Sequence, residues 1–400
     1  MPLACAALGL ASPLSARAAT IPVPSGQPTI QAGIDAATNG DTVLVAPGTY
    51  YENLDFKGKA ITVTSSGGAA VTKVQGGMVS PVVQFVTGET TASVISGFTL
   101  TRGLARNVNN SSTDDAGGGI SIKNASPTIT NNVITDNFGG HSFGGGIGFE
   151  SSNAVITNNT ISKNISVGGG IGGTQGSPVV RDNVIEDNVG AILGGGVSCI
   201  ACPTITITGN TIRRNRNFQG GGIGVQAASA GVIANNVIAS NAGELEGGGI
   251  LVSGSTGIVV ANNTLVANRS PNGGGIFLYQ SPATVVNNVV TLNTSTRHGA
   301  GIGCRDSSGA TITFNDFFSN TSETSYGCAP GGGTLGVDPL FVNAAAGDYH
   351  LQAGSPLVDA GTNAVSGLPA TDLDGQQRIQ DGNGDLNAVI DIGADEVPGS

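Results

Sequence analysis

The chain has 400 residues, with 16 basic and 27 acidic side chains and a formal net charge of −11. This balance argues against nucleic-acid binding, which depends on lysine and arginine contacts to phosphates. Charged residues make up only 11% of the chain and glycine occupies 65 positions. The glycines recur periodically and the apolar positions alternate, so the composition does not indicate disorder. After residue 19, no stretch approaches the ~20 apolar residues of a membrane span.

The first 19 residues are apolar and small, and they end in Ala16-Arg17-Ala18. This composition predicts a signal peptide over residues 1–19 and therefore a secreted, cell-surface or periplasmic protein. The usual basic segment at the start is missing, and a frayed hydrophobic tail is the alternative interpretation. We predict a helix over Thr29–Thr38, because Ile30 and Ile34 share a face and Asn39-Gly40 follows. A solenoid exposes an open core at its end, so this helix is expected to cap it.

A repeat occupies residues 117–320. Each copy opens with a glycine run followed by a β-branched residue, in steps of 24 to 27 residues, at positions 120, 147, 171, 197, 223, 250, 276 and 302. A fixed period in this range indicates a repeat architecture. Short β-branched runs separated by turn residues give three strands and three bends per copy. The predicted fold is therefore an all-β, right-handed parallel β-helix over residues 20–337, with the N-terminal helical cap and a loop-rich C-terminal cap over 338–400.

Every copy also carries two asparagines five residues apart. The pairs are Asn132/Asn137, Asn159/Asn164, Asn183/Asn188, Asn210/Asn215, Asn236/Asn241, Asn263/Asn268, Asn288/Asn293 and Asn315/Asn320. Stacked coils lie about 4.8 Å apart, so we expect the asparagine amides to bond from coil to coil at left-handed bends. Asn235 is expected to lie off this ladder, so that its replacement by alanine costs much less than a change at Asn236. The glycine columns are expected either to let the chain bend sharply or to leave one side of the solenoid flat and bare.

Four cysteines follow the predicted signal peptide. Cys304 and Cys328 are one repeat apart, so we predict that they stack and form a disulfide. Cys199 and Cys202 form a C-x-x-C motif without a second pair or a nearby histidine, which argues against zinc. A structural disulfide is favoured there over a redox motif.

The two ends of the chain carry family-like motifs. The first part contains TIQAGIDAATNGDTVLVAPGTYYENLDFKGKAITV and ISGFTLTRG, and the last part contains DPLFVN, GDYHLQAGSPLVDAG, DLDGQQR and DIGADE. These stretches resemble bacterial secreted right-handed parallel β-helix proteins with the pectate-lyase-type fold, of the choice-of-anchor Q type. The repeats are similar to those of chlamydial polymorphic outer-membrane proteins. Such families include lyases, epimerases and adhesins, so the resemblance implies a fold and a compartment but no single activity.

Two columns of outward positions flank the glycines. The position before the glycines changes from apolar to polar along the repeats, in the order Ala116, Phe143, Val167, Leu193, Gln219, Glu246, Asn272 and His298. The third position after the β-branched residue ends in Tyr279 and Arg305. The two columns are seven residues apart in each repeat, up to about 23 Å if extended, so we expect them not to converge on one bond.

We interpret this side of the later coils as a groove for an extended polymer, with a glycine floor and polar rims. Loops on the same side add Arg216, Glu244, Arg269 and Arg297. The predicted catalytic residues are Glu246, His298 and Arg269. The predicted substrate-binding residues are Gln219, Asn272, Tyr279, Arg297 and Arg305. A solvated loop face with incidental charges is the alternative interpretation.

A second candidate site lies on the first repeats, where Asp114, Asp115, Lys123, His141 and Glu150 combine acids with a lysine. The family resemblance implies calcium held by acids and a lysine base, but a stacked Lys123–Glu150 ion pair is the favoured interpretation. A column of alternating sign indicates a surface charge ladder formed by Asp136, Lys163, Asp187 and Arg214.

Residues 381–391 resemble a calcium loop. Oxygen-bearing side chains alternate with glycines at Asp381, Asn383 and Asp385, and Asp391 follows. The pattern departs from an EF-hand, so calcium at these four residues competes with a plain Asp/Gly turn.

The predicted function is binding of an extracellular polysaccharide, with cleavage by β-elimination if the face is catalytic. The predicted protein is a monomer with calcium as its one candidate cofactor. The alternative is a non-catalytic, adhesive surface solenoid.

Overall fold

The structure, a computed structural model, describes residues 17–106 and 115–399. Residues 1–16, and with them most of the predicted signal peptide, lie outside the described residues. Within the described part, the chain winds into a parallel β-helix of about 12 coils, because its longest sheet contains 12 parallel strands. This confirms the predicted all-β fold. Each coil adds one strand to each of three sheets, which we call A, B and C in the order in which the chain first enters them.

Sheet A contains twelve strands: Thr20–Val23, Thr42–Val45, Thr62–Ser65, Val94–Ser96, Thr128–Thr130, Val155–Thr157, Val179–Arg181, Thr204–Thr208, Ala230–Ala234, Ile258–Ala261, Thr284–Val286 and Thr311–Thr313. Sheet B contains eleven: Gly48–Tyr50, Thr72–Gln75, Thr99–Thr101, Val133–Thr135, Thr160–Ser162, Val184–Glu186, Thr211–Arg213, Val237–Ala239, Thr264–Val266, Val289–Thr291 and Asp316–Phe318. Each strand pairs in parallel with its equivalents one coil away, as Ile129 does with Ile156.

Sheet C follows the glycine runs and also contains eleven strands: Leu54–Asp55, Val83–Phe85, Ile120–Lys123, Ile147–Glu150, Ile171–Thr174, Val197–Ile200, Ile223–Gln226, Ile250–Ser253, Ile276–Tyr279, Ile302–Arg305 and Ser325–Tyr326. A fourth sheet, D, lies between B and C and was not predicted. Its four strands are Arg216–Gln219, Ala242–Glu246, Arg269–Asn272 and Thr294–His298.

The interior is filled by stacked aliphatic side chains, because alternate residues of each short strand point inward. Ile134, Ile161 and Ile185 occupy equivalent places in successive coils, and all are fully buried. Phe56 and Phe85 fill the core of the first coils, with ring centroids 4.3 Å apart. One continuous core therefore runs along the axis.

The asparagine ladders form as predicted. Asn236 Nδ2 donates to Asn263 Oδ1 at 2.9 Å and to the carbonyl oxygen of Ile207 at 2.9 Å. In the second ladder, Asn241 Nδ2 donates to Asn268 Oδ1 at 3.0 Å. Asn236 and Asn241 are fully buried. Each asparagine side chain thus forms hydrogen bonds with both neighbouring coils. These bonds satisfy its polar atoms, as burial of a polar group requires.

The left-handed residue is not the ladder asparagine but the residue before it. Asn158 and Lys163, which precede two rungs, have φ of 56°. Asn235 has φ of 57°, is 2% exposed, and donates through Nδ2 to the Thr371 carbonyl oxygen at 2.6 Å. Asn235 lies off the ladder as expected, but its side chain holds the C-terminal part of the chain. The smaller cost expected for its replacement by alanine stays a prediction.

The glycine columns do not leave a bare face. The chain before each strand of sheet C folds back over that sheet, so backbone packs on backbone. A β-carbon on Gly148 would lie 1.7 Å from the Ala116 carbonyl oxygen, and one on Gly172 would lie 2.2 Å from that of Phe143. Where larger residues occupy this column, Leu251 and Phe277 are buried. The predicted open glycine floor is therefore wrong, since neighbouring coils fill it.

The N-terminal helix spans Ile30–Ala36, and the Thr29 side chain accepts a hydrogen bond from the Ala32 N–H. Its residues Ile30, Gly33 and Ile34 are buried against the first coil. A β-carbon on Gly33 would lie 2.7 Å from the Val43 side chain. The predicted cap over the first coil is confirmed. None of the described helices is long and apolar enough to span a membrane.

Both predicted disulfides are present. Cys304 and Cys328 are bonded with Cα atoms 5.5 Å apart, and Cys199 is bonded to Cys202. The first bond links the last full strand of sheet C to the segment that follows the final coil. Disulfides of this kind persist in oxidising compartments such as the periplasm or the extracellular space.

Residues 338–399 form a loop-rich segment that we call the C-terminal cover. Its regular elements are a hairpin of Phe341–Asn343 and Asp348–Leu351 and a 3-10 turn at Ala344–Ala346. It lies along the flank of the later coils, on the outward side of sheet B, rather than plugging the end. Its apolar residues pack there with the buried Val237, Val266 and Val289.

A buried ion pair anchors the cover. Arg378 Nη1 is 2.9 Å from Glu396 Oε2, and the two side chains are 3% and 1% exposed. Arg378 Nη2 also donates to Asn235 Oδ1 at 2.6 Å, which joins the cover to the solenoid. Burial raises the pKa of Glu396 to about 8, with the nearby Asp391 acting in the same direction.

Candidate functional site

Sheet D forms a fourth side on the later coils, at the position that follows the second asparagine ladder. In the earlier coils the same column is apolar and exposed, at Phe138, Ile165 and Val189. In sheet D, register pairs Arg216 with Ala242, Ala242 with Arg269, and Arg269 with Thr294. Arginine thus occupies two of the four sheet D positions in a column that is apolar in the earlier coils.

An open cavity of about 610 Å³ lies on this face. It is lined by Arg216, Ala242, Gly243, Glu244, Arg269, Ser270, Pro271, Thr294 and Thr296. Among the predicted catalytic and binding residues, Arg269 alone lines it. The cavity runs across the sheet D strands, so its length follows the axis of the solenoid.

The two arginines of the cavity differ in their partners. Arg216 Nε donates to Glu244 Oε1 at 3.0 Å, and both side chains are about half exposed or more. Arg269 is exposed, and no carboxylate of the described residues lies within 4 Å of its guanidinium group. Arg216 and Arg269 lie two coils apart, which is about 10 Å along the axis of the solenoid. The face therefore offers one uncompensated guanidinium group beside a neutralised one.

Glu246 is not available as an open rim residue. It is 3% exposed, and its Oε1 is 2.9 Å from Arg305 Nη2. Gln219 Nε2 donates to its other carboxylate oxygen at 3.1 Å. The two outward columns therefore meet at this pair, because the glycine bend turns the chain back and the arginine side chain is long. Glu246 is thus held in an ion pair over sheet C.

Arg305 also covers the aromatic residues of sheet C. Its guanidinium carbon lies 4.3 Å from the Tyr279 ring centroid and 5.7 Å from that of Phe277. Cation–π contacts of this kind stabilise the stacked arrangement. Tyr279 and Arg305, both predicted to bind substrate, therefore form a cluster with Glu246, in which the Arg305 side chain is 51% exposed.

The remaining predicted residues lie near the edge of sheet D. His298 Nδ1 is 2.9 Å from Glu323 Oε1, and its ring stacks on Tyr326 with centroids 4.0 Å apart. Asn272 Nδ2 donates to the Leu245 carbonyl oxygen at 3.1 Å. Register places Asn272 between Glu246 and His298, so those two predicted catalytic residues are two coils apart. Arg297 is exposed.

The charged residues of the first-coil alternative are paired with neighbouring side chains. Lys123 pairs in register with Glu150, with their charged atoms 3.1 Å apart, which confirms the stacked ion pair. Asp114 lies outside the described residues. Asp115 Oδ1 accepts a hydrogen bond from Gln84 Nε2 at 3.0 Å, and its Oδ2 pairs with Arg106.

The predicted charge ladder is present between its last two members. Arg214 Nη2 is 2.9 Å from Asp187 Oδ2, and this hydrogen bond holds the pKa of Asp187 below its usual range. Such a ladder belongs to the surface rather than to a site.

The predicted calcium loop uses its oxygens internally. Asp381 Oδ1 accepts from the Gly384 and Asp385 N–H groups, at 2.7 Å and 3.0 Å. Asn383 Oδ1 accepts from the Asp385 N–H at 2.9 Å. Asp391 is buried, and its carboxylate accepts from the Asp359 and Val397 N–H groups. Calcium at Asp381, Asn383, Asp385 and Asp391 stays a prediction, since the loop holds its own turn without an ion.

A separate cluster of titratable groups lies in the C-terminal cover. His350 Nδ1 is 2.5 Å from Asp348 Oδ1, and its Nε2 is 2.6 Å from Asp374 Oδ2. Partial burial lowers the pKa of His350, but the hydrogen bonds to the two carboxylates prevail and raise it to about 9. Sequence reasoning missed this cluster, because its members are far apart in the chain.

Comparisons with known proteins agree with the fold. Residues 95–217 match a family model described as right handed beta helix region. Residues 179–329 match one described as periplasmic copper-binding protein (NosD). No curated protein matches the sequence significantly. The chain is a right-handed β-helix repeat protein.

Similar solved structures share little sequence with the chain, and one of them shows the same fold. Pectate lyase Pel9A is 14% identical with a TM-score of 0.51, covering 91% of this chain and 90% of that chain. The A-module of the Azotobacter vinelandii mannuronan C-5 epimerase AlgE4 is 16% identical with a TM-score of 0.39, covering 77% and 95%. The likeness to Pel9A supports the fold alone.

Sheet D and the small residues of its cavity are what sequence reasoning missed. The strands Arg269–Asn272 and Thr294–His298 lack an alternating apolar pattern. The length of the connecting segments could have predicted sheet D. In these coils, the segments between the second asparagine and the glycines are nearly equal in length. Loops of equal length on stacked coils can pair as strands.

Proposed function

We propose that the protein binds an acidic polysaccharide along the sheet D face. The supporting observation is the uncompensated Arg269 in an elongated cavity that follows the solenoid axis. Arg269 places an exposed cation in the cleft of a chain whose net charge is −11, and such a local positive charge attracts anionic ligands.

The chemistry of the lining suits a polyuronate. Guanidinium groups bind carboxylates through two parallel hydrogen bonds, and Arg269 is free to do so. Thr294 and Thr296 add hydroxyl groups for sugar hydroxyls. The pectate lyase whose fold the chain shares acts, by its name, on an acidic polysaccharide, which supports the same ligand class.

Binding, rather than cleavage, is the activity that the geometry supports. Glu246 is held by Arg305 and Gln219, and His298 by Glu323 and Tyr326, so neither approaches Arg269 as a ready base. A non-catalytic solenoid that binds a surface glycan combines both functions considered from the sequence.

The test is calorimetric titration of the protein with polygalacturonate and alginate, against neutral polymers of similar length. We expect binding of an acidic polymer that weakens as salt is added. Arg269→Gln is expected to weaken it at least tenfold. Arg181→Gln removes the same charge from an exposed site on sheet A and serves as the matched control.

Adding calcium and following the absorbance of unsaturated products distinguishes binding from lyase action. Binding without absorbance supports the non-catalytic solenoid, and absorbance would extend the proposal to cleavage. The proposal fails if no acidic polymer binds, or if Arg269→Gln binds as tightly as the unmodified protein.

A further inference from the structure

Three separate pieces of the C-terminal cover meet at one imidazole. His350 lies in the strand Asp348–Leu351, Asp374 in the turn between the bridged residues Thr371 and Gln377, and Asp395 near the end of the chain. One potential ligand atom from each of His350, Asp374 and Asp395 lies within 4.8 Å of the others. This is independent of sheet D and of the polysaccharide proposal.

Two of the three groups are partly exposed to solvent and the third is buried, so an ion could enter from solvent and reach all three. His350 and Asp374 are 43% and 45% exposed at the side chain, so they open the site to solvent. Asp395 is 6% exposed and forms the floor. Its Oδ2 accepts from the Leu351 N–H at 2.8 Å. Its Oδ1 accepts no hydrogen bond from the described residues, so this oxygen is available to another partner.

The charge of the cluster is unbalanced. Asp348, Asp374 and Asp395 surround His350, so even a protonated imidazole leaves two negative charges. The buried Arg378 does not compensate them, because it pairs with Glu396 and with backbone carbonyl oxygens. Excess negative charge at a partly buried place is stabilised by a divalent cation.

The ligand types select the class of ion. Calcium and magnesium prefer all-oxygen ligands, whereas an imidazole with carboxylates suits zinc and other divalent transition metals. Ligand atoms around tetrahedral zinc lie about 3.3 Å apart, since each is about 2.0–2.2 Å from the ion. Small side-chain rotations from the present arrangement reach that spacing.

We propose that His350 Nε2, Asp374 and Asp395 bind one divalent transition-metal ion such as zinc. The Nδ1–H of His350 then donates to Asp348, which orients the ring, as carboxylates commonly do for metal-bound histidines. The ion takes the place of the proton on Nε2. The Nε2 atom and the Asp374 carboxylate move apart so that the ion fits between them. The ion joins the three pieces of the cover that lie over sheet B.

The consequence is metal-dependent stability of the cover. An ion that binds only the folded arrangement shifts the unfolding equilibrium by mass action. Zinc is therefore expected to raise the melting temperature and to slow proteolysis within residues 338–399.

The experiment uses the full chain, freed of metal with a chelator, then titrated with zinc chloride in competition with a chromophoric chelator. We expect one zinc ion per chain. We also expect cobalt chloride to give a visible absorption band that zinc removes. His350→Gln and Asp374→Asn are expected to weaken zinc binding at least tenfold, and Asp348→Asn by a smaller factor.

His298→Gln is the matched control, since His298 is also an exposed histidine paired with a carboxylate. It is expected to bind zinc as the unmodified protein does. Circular dichroism on each variant shows that the solenoid is folded before binding is compared. The proposal is overturned if the unmodified protein binds no zinc, if calcium binds there in preference, or if His350→Gln and Asp374→Asn bind zinc unchanged.

Discussion

The asparagine corners and the sheet D face are built from the same repeat but behave in opposite ways. At the corners, every coil from Asn132 to Asn315 presents the same amide to the same neighbours. On the sheet D face, the column runs through Phe138, Ile165 and Val189 before it reaches Arg216 and Arg269. A position that stacks on its own copies is constrained by its neighbours, whereas an outward position is free to vary from coil to coil. Differences between coils on an outward column are therefore the better guide to function.

Breaking a rung of the ladder is expected to have the largest effect. Asn159 Nδ2 donates to the carbonyl oxygens of Ile129 and Thr157 and to Asn183 Oδ1. Asn159→Leu leaves these buried partners unsatisfied, so the free energy of unfolding should fall by about 3–5 kcal/mol. The measurement is denaturant unfolding followed by circular dichroism.

The control for this variant is Asn158→Gly in the same coil. Asn158 is exposed, and glycine accepts its φ of 56° without strain. A loss of less than about 1 kcal/mol is expected there. Equal losses for the two variants would mean that the rung contributes nothing beyond the bend.

A buried acid next to the last rung gives a smaller, pH-dependent effect. Asp316 is fully buried, its Oδ1 accepts from the Val337 N–H, and its Oδ2 has no hydrogen-bond partner among the described residues. Burial raises the pKa of Asp316 to about 6. The folded state therefore favours the protonated acid, and this contribution is fully present below pH ~4 and is lost as pH rises through 6.

Asp316→Asn removes that titration and keeps the acceptor for Val337. The variant should be more stable than the unmodified protein by about 1–3 kcal/mol at pH 7.5, with the difference shrinking as pH falls and vanishing below pH ~4. Melting temperatures of both proteins across this range test it. Other buried acids, such as Asp391, titrate in both proteins and cancel in the difference. A difference that is independent of pH would contradict the explanation.

The smallest effect on stability is expected on the sheet D face. Arg269 is exposed and has no ion-pair partner in the described part of the chain, so Arg269→Gln should change the free energy of unfolding by no more than about 0.5 kcal/mol. Thermal unfolding beside the binding assay checks this. A large destabilisation would mean that Arg269 has a structural role. It would then no longer serve as an example of an outward position that is free to vary.

Periodic features were predictable from the sequence, because their partners are copies of themselves. Asn236 meets Asn263, and Cys304 meets Cys328, since each pair is separated by one coil. The helix over the first coil was predictable because its signals are local. The strands of sheets A, B and C follow from β-branched runs for the same reason.

Contacts between different columns were not predictable. The Glu246–Arg305 pair spans two coils and two columns, so no spacing in the sequence indicates it. The packing of Ala116 on Gly148 depends on backbone approach, which glycine permits but does not specify. The attachment of Arg378 to Asn235 joins residues 143 apart. These contacts decide which predicted residues remain open to a ligand.

The position of the variable segment has a consequence for how such a molecule changes length. Each rung bonds only within its own coil and to the coils directly above and below it, so one coil can be duplicated or deleted as a cassette without disturbing distant coils. Because sheet D grows from the segment between the second asparagine and the glycines, every duplicated cassette of that kind would lengthen the cavity by about 4.8 Å. Unequal recombination between the similar glycine runs would thus change the number of coils that line the cavity. The side chains that each coil presents to a ligand would stay the same.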